Sequence, residues 1–141
     1  MDTYNVDRFL DGQRFGYDYA LNEIRNGKKA GHWIWYVFPQ MKGLGHSPNS
    51  LYYGISEKEE AKAFLEHPIL GKRLREITEV LLSLDEKDIH NVMPSVDCMK
   101  LRSSMTLFDL VSPNDVFVKV LEKYYGGQRD PLTLKIANVK Y

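Results

Sequence analysis

The residues best suited to chemistry fall in three short stretches. The first is His32-Trp33-Ile34-Trp35, followed by Gln40. Two indoles beside an imidazole and an amide can form a slot that stacks a planar ring and hydrogen-bonds its edge. The same indoles can instead fill the core, the commoner use of large aromatics. His32 and Gln40 flank the apolar run, which makes them better site candidates than the tryptophans. The second stretch is Lys42-Gly43-Leu44-Gly45-His46-Ser47-Pro48. Glycines let backbone amides approach an anion, and Lys42 and Ser47 add donors; a plain turn is the simpler use of such a loop. The third runs from Asp97 to Phe108. In a helix, Lys100, Ser103 and Ser104 share one turn, and Lys100 with Arg102 suits a phosphate or carboxylate. Asp97 is the nearest carboxylate and a candidate general acid or base. Alternatively, the hydroxyls bond carbonyls of their own helix and the charges are solvated.

Other chemistries lack their signatures. The chain contains no Walker loop, GxGxxG, HExxH, paired CxxC or GxSxG pattern. His32, His46, His67 and His90 are irregularly spaced, and the single cysteine, Cys98, cannot build a zinc cluster. Neither a metal nor a cofactor is expected. Lysine plus arginine equals aspartate plus glutamate at 19 each, so there is no bulk field to attract a long nucleic acid or an acidic membrane. A small-molecule ligand is the expected partner. Cys98 has no partner for an internal disulfide, and the N-terminus shows no basic segment followed by an apolar one. Both features lead us to expect a cytoplasmic protein. The longest uninterrupted apolar run, Trp33 to Phe38, is too short to span a bilayer.

These stretches must be held by elements that the hydrophobic pattern makes visible. A chain of 141 residues with 43% apolar and 27% charged side chains suits one domain, residues 1–141, with one buried core. Val6 to Asn26 reads as a helix bent or broken at Gly12, with Phe15, Tyr19, Ala20, Leu21 and Ile24 as its second apolar cluster. Trp33 to Phe38 is a buried strand or a short buried helix. Ser56 and Glu59 have capping-box spacing, so a helix starts there and carries Ala61, Phe64 and Leu65. Pro68 opens another, in which Leu70, Leu74, Ile77, Leu81 and Leu84 recur at helical intervals. A further helix covers Ser95 to Val111, one capped by Asn114 ends at Gly126-Gly127, and Asp130-Pro131 starts the last. The expected fold is mainly α, a compact multi-helix domain with at most minor strand content.

His32 to Gln40, Gly43 to Ser47, Tyr53-Gly54-Ile55, His67 to Leu74 and Lys100 to Phe108 together resemble a bacterial family, domain of unknown function 1810. The resemblance extends from about Val6 to Ala137. It implies a mostly helical, YbiA-like fold and a distant kinship with NADAR proteins. Those look like enzymes acting on N-glycosidic bonds of ribosylated compounds, including riboflavin-pathway intermediates and ADP-ribose adducts. Their motif has a tryptophan, then a glutamate, then a glutamine. Trp33 or Trp35 and Gln40 match its ends, but nothing between Trp33 and Gln40 is acidic. Glu59-Glu60-Ala61-Lys62 is similar to the relatives' alanine-lysine helix.

Three functions follow. The first is hydrolysis of an N-ribosyl bond, in which an acid assists the leaving base while water attacks an oxocarbenium-like centre. Asp97 is then the acid or water-orienting base, with His32 as second candidate. Trp33 or Trp35 stacks the base, Gln40, Gly45 and Ser47 add further substrate contacts, and Lys100, Arg102, Ser103 and Ser104 hold phosphate or ribose. The second is binding of a nucleotide or ADP-ribose-like ligand without turnover. The third is a protein-interaction module whose aromatics are exposed.

Overall fold

A computed structural model describes residues 4–138. Among them the chain forms α1 (Asp7–Arg25), α2 (Ile34–Val37), α3 (Pro48–Tyr53), α4 (Lys58–Glu66), α5 (Leu70–Ser83), a 3-10 turn (Ile89–Asn91), α6 (Ser95–Val111), α7 (Val116–Tyr125) and α8 (Pro131–Asn138). The β-type pairing is one parallel bridge between Met41 and Ile55. The mainly α-helical architecture expected from the sequence is the one adopted.

α6 is the centre of the packing, with α2, α4, α7 and α8 laid against it, while α1, α4 and α7 pack on α5. Its composition explains that position. Leu101, Met105, Leu107 and Phe108 are fully buried, and so are Ser104 and Thr106. From Leu101 to Phe108 the helix is apolar or small apart from Arg102, so this stretch goes to the middle, while Val96 and Met99 nearer its start stay exposed. Burying each of its large side chains contributes about 1.5–3 kcal/mol. Phe108 continues an aromatic row through Phe64 to Phe9, with adjacent centroids 5.5 and 4.9 Å apart, which ties α6, α4 and α1 together.

The apolar run is a short helix rather than a strand. Pro39 disfavours helical backbone at Phe38, and Phe38 indeed leaves the helix at φ −121°, ψ 74°. α5 buries Leu70, Leu74, Ile77 and Leu81, as its spacing requires. α7 stops at Gly126, which takes the left-handed conformation at φ 61°.

Several local expectations are corrected. α1 continues through Gly12. That glycine makes room for Tyr36: a Cβ there would lie 2.7 Å from Tyr36 Cγ. Phe15 and Tyr19 are 81% and 71% exposed. Ala20, Leu21 and Ile24 are buried as expected, and the buried stripe reaches them through Phe9, Gln13 and Tyr17. Gln13 is tolerated inside because its amide donates to the Tyr36 carbonyl at 2.7 Å. The capping box expected at Ser56 and Glu59 does not form: Glu57 is the residue before α4, and Ser56 meets Glu60 rather than Glu59. Ser56 N and Oγ donate to Glu60 Oε1 at 2.8 and 2.9 Å, and Glu60 Oε2 pairs with Arg8 at 2.7 Å. Asp115, not Asn114, caps α7, accepting from Val116 N at 2.7 Å. No helix among the described residues is long and apolar enough to cross a membrane.

Candidate functional site

A cleft of about 390 Å³ opens between the segment 40–54, the first half of α6 and the start of α8. That volume falls in the range of small-molecule sites, about 300–1,000 Å³. Trp35 of α2, Tyr53 of α3 and the aliphatic side chains of Met41, Leu44, Met99 and Leu132 supply apolar wall. Gln40, Ser47, Lys100, Arg102, Ser103 and Asp130 supply polar groups.

α6 carries the charged wall. Val96, Met99, Lys100 and Ser103 recur at helical spacing, so they share the face turned to the cleft. Lys100 Nζ lies 4.0 Å from the centroid of the Trp35 ring and 3.8 Å from Asp97 Oδ1. Arg102 is anchored through backbone: Nε donates to the Gln128 carbonyl at 3.0 Å and Nη2 to that of Arg129 at 2.7 Å. These bonds hold the α7–α8 loop against α6 and bring Asp130 to the cleft. Asp130 N donates to Thr106 Oγ1 at 2.9 Å. Asp130 Oδ2 accepts from Thr133 N at 2.9 Å, Thr133 Oγ1 at 2.5 Å and Ser103 Oγ at 3.3 Å. Asp130 therefore caps α8 and lines the cavity.

The opposite wall is the glycine-containing loop. Two backbone bonds close it at its base: Lys42 N donates to the Ile55 carbonyl at 2.8 Å, and Ile55 N to that of Gln40 at 2.9 Å. Ser47 caps α3, accepting from Ser50 N at 3.1 Å. The loop is a turn leading into a helix, with Gly45, His46 and Ser47 lining the cavity. Burial pushes the Tyr53 phenol above its ordinary pKa.

Of the residues singled out by sequence, Trp35, Gln40, Gly45, Ser47, Lys100, Arg102 and Ser103 meet at this cleft. The others lie outside its lining. Trp33 is 2% exposed, and its indole N–H donates to Glu23 at 2.8 Å. With Trp33 buried, the two tryptophans form no exposed aromatic patch. His32 is on the surface, away from the cavity wall. Ser104 is fully buried. Asp97 is 8% exposed and engaged by Lys29 Nζ at 3.0 Å as well as by Lys100. Ser103 and Thr106 donate to the carbonyls of Met99 and Arg102, so the helix-internal use of hydroxyls holds for both.

Asp130, Leu132, Tyr53, Met41 and Met99 were not among the sequence candidates. Asp130-Pro131 is legible in sequence as a helix start, but nothing there points the carboxylate at α6. Among the described residues, no three His, Cys, Asp or Glu side chains gather as a metal would require. The arrangement pairs cations with an apolar and aromatic wall and a single lining carboxylate.

The family model described as "Protein of unknown function (DUF1810)" matches residues 3–137. The chain is similar to the conserved hypothetical protein Rv1873 from Mycobacterium tuberculosis, solved by crystallography at 1.38 Å. The two are 43% identical, the match covers 96% of this chain and 97% of that one, and the TM-score is 0.93. No curated protein matches the chain.

Proposed function

Because the chain belongs to the DUF1810 family of proteins of unknown function, we propose a function from the cleft itself: it binds a small, anionic, nucleotide-like molecule. The observation that carries this reading is the convergence of Trp35, Lys100 and Arg102 on one apolar cavity. An aromatic wall offers stacking to a planar ring. Fixed cations beside it offer charge-assisted bonds to a phosphate. Asp130 and Gln40 add polar groups suited to ribose hydroxyls or a base edge.

The test is thermal stabilisation of the folded protein by ADP-ribose, AMP and phosphorylated riboflavin intermediates. Stabilisation that rises with ligand concentration supports the reading. A flat response across the set rejects it.

A second reading, hydrolysis of an N-ribosyl bond, rests on the sequence resemblance to NADAR proteins and is favoured by Asp130 in the cavity lining. Asp130 then takes the acid–base role that the sequence assigned to Asp97, which two lysines engage. Release of free base from the same compounds, lost in Asp130→Asn, supports this reading. Binding without product leaves the cleft a receptor.

A further inference from the structure

A row of charges runs from the back of the core to the cleft. It starts at Glu23 on α1. Glu23 Oε1 accepts from Ala30 N at 2.8 Å, Gly31 N at 3.0 Å and the Trp33 indole at 2.8 Å. One carboxylate thereby fixes the loop that carries Lys29. The Lys29 backbone N donates to the Val92 carbonyl at 2.6 Å, and its ammonium donates to the Gly31 carbonyl. The Lys29 side chain is 2% exposed, yet it sits 3.0 Å from Asp97 Oδ2. A buried ammonium is tolerated only when paired, and Asp97 is that partner. The other oxygen, Asp97 Oδ1, faces Lys100 Nζ at 3.8 Å. Asp97 thus shares its charge between a lysine locked in the core and a lysine at the cleft.

We propose that Asp97 and Lys29 are positioning residues that hold the Lys100 ammonium against the Trp35 ring and so set the anion-attracting wall of the cleft. The ligand side of this proposal rests on the reading of the cleft as an anion site; the positioning side does not. A flexible lysine spends most of its rotamers in solvent. Asp97 restricts Lys100 from one side and the indole face attracts it from the other. Lys29 matters because it keeps the Asp97 carboxylate from rotating away. Asp97 is the first-turn acid of α6, three residues before Lys100, so the same helix builds both partners.

The experiment has a ligand-free arm and a ligand arm. In the first, the ring-current shift of the Lys100 ε-methylene protons is measured by NMR in wild type, Trp35→Leu and Asp97→Asn. An upfield shift in wild type that vanishes in Trp35→Leu and falls by at least half in Asp97→Asn is expected. A shift unchanged in folded Asp97→Asn overturns the proposal. If leaving Lys29 unpaired unfolds that variant, Lys29→Met/Asp97→Asn removes both buried charges and is judged by the same criterion. In the second arm, AMP and adenosine are titrated into wild type and the folded variant. Weakening of AMP by about tenfold, with adenosine within about twofold, is expected for a displaced partly buried cation. Equal weakening of both overturns the link between Asp97 and the anion. Failure of wild type to bind either compound counts against the nucleotide reading, and the ring-current arm then decides the positioning claim alone.

Discussion

The Lys100 ammonium stands 4.0 Å above the Trp35 ring, joining a helix of the core to the short apolar helix α2 across the cleft. Both side chains are half-buried, with Trp35 packed on the edge of the core, so truncating either removes little fully buried surface. Lys100→Ala and Trp35→Leu are each expected to weaken AMP about tenfold, while stability changes by no more than about 1 kcal/mol. Isothermal titration beside a urea melt checks both numbers. A melt shifted as strongly as the affinity would make the pair structural.

Tyr36 and the glycines of α1 make a second, purely steric prediction. A Cβ at Gly12 would sit 2.7 Å from Tyr36 Cγ and 3.0 Å from its Cβ, atoms that cannot swing aside. At Gly16 the clash is with the far end of the ring, 2.4 Å from Oη. Alanine has about 1 kcal/mol better helix propensity than glycine, but overpacking costs about 1–3 kcal/mol. Gly12→Ala is expected to destabilise clearly and Gly16→Ala less. Chemical denaturation of both variants tests the order.

Most of the helical frame was legible because core-facing residues repeat with the helix. Leu70, Leu74, Ile77 and Leu81 form such a stripe without interruption. The α1 stripe was misread because two of its inward positions, Gln13 and Tyr17, are polar or amphipathic, while the outward Phe15 and Tyr19 look like core. The partner of Ser56 was misplaced because Glu59 and Glu60 carry the same side chain, and the α7 cap because Asn114 and Asp115 are both good capping residues; only three-dimensional partners choose between them. The cleft was half legible. Trp35 and Trp33 are equivalent in sequence, and it is α2 that sends one to the cavity and the other to Glu23. Asp130 was missed because its approach to Ser103 depends on Arg102 gripping a loop distant in the chain.

Cys98 gives a reactivity prediction. Burial, followed by the nearby Asp97 and Asp88 charges, pushes its thiol up to about 11. The thiolate is the reactive form, so at pH 8 native protein should react with a thiol-specific disulfide reagent far more slowly than urea-unfolded protein. Equal rates in the two states would mean that the α6 N-terminus opens readily.

Glu23 makes stability depend on acid pH. Burial alone would raise its carboxyl, but hydrogen bonds from Gly31, Ala30 and Trp33, with Lys29 nearby, hold it below the ordinary value of 4.5. A carboxyl lowered in the folded state stabilises fully well above its unfolded pKa, and the contribution fades as pH falls through the folded one. Wild type should therefore lose stability from about pH 5 downward. Glu23→Gln should be less stable at pH 7 and show a shallower acid slope. Parallel slopes in the two proteins would remove Glu23 from the acid response.

The Arg8–Glu60 pair sets the last test, because it joins α1 to the α3–α4 junction in the interior. Arg8 Nη2 lies 2.7 Å from Glu60 Oε2, with side chains 9% and 4% exposed. Arg8 also donates to the carbonyls of Tyr52 at 2.8 Å and Gly54 at 3.0 Å, and Ser56 donates to Glu60. Removing one member of such a pair strands the other's charge, at a cost of about 3–5 kcal/mol. Arg8→Met leaves Glu60 with Ser56 alone, whereas Glu60→Gln leaves Arg8 its carbonyl acceptors. Arg8→Met is thus expected to be the more damaging change. Arg8→Met/Glu60→Gln should cost less than the two single effects added, by about 1–3 kcal/mol. Urea unfolding of all four proteins yields the coupling directly. Simple additivity would mean that the two charges act independently, with the junction held by the backbone contacts of Arg8 instead.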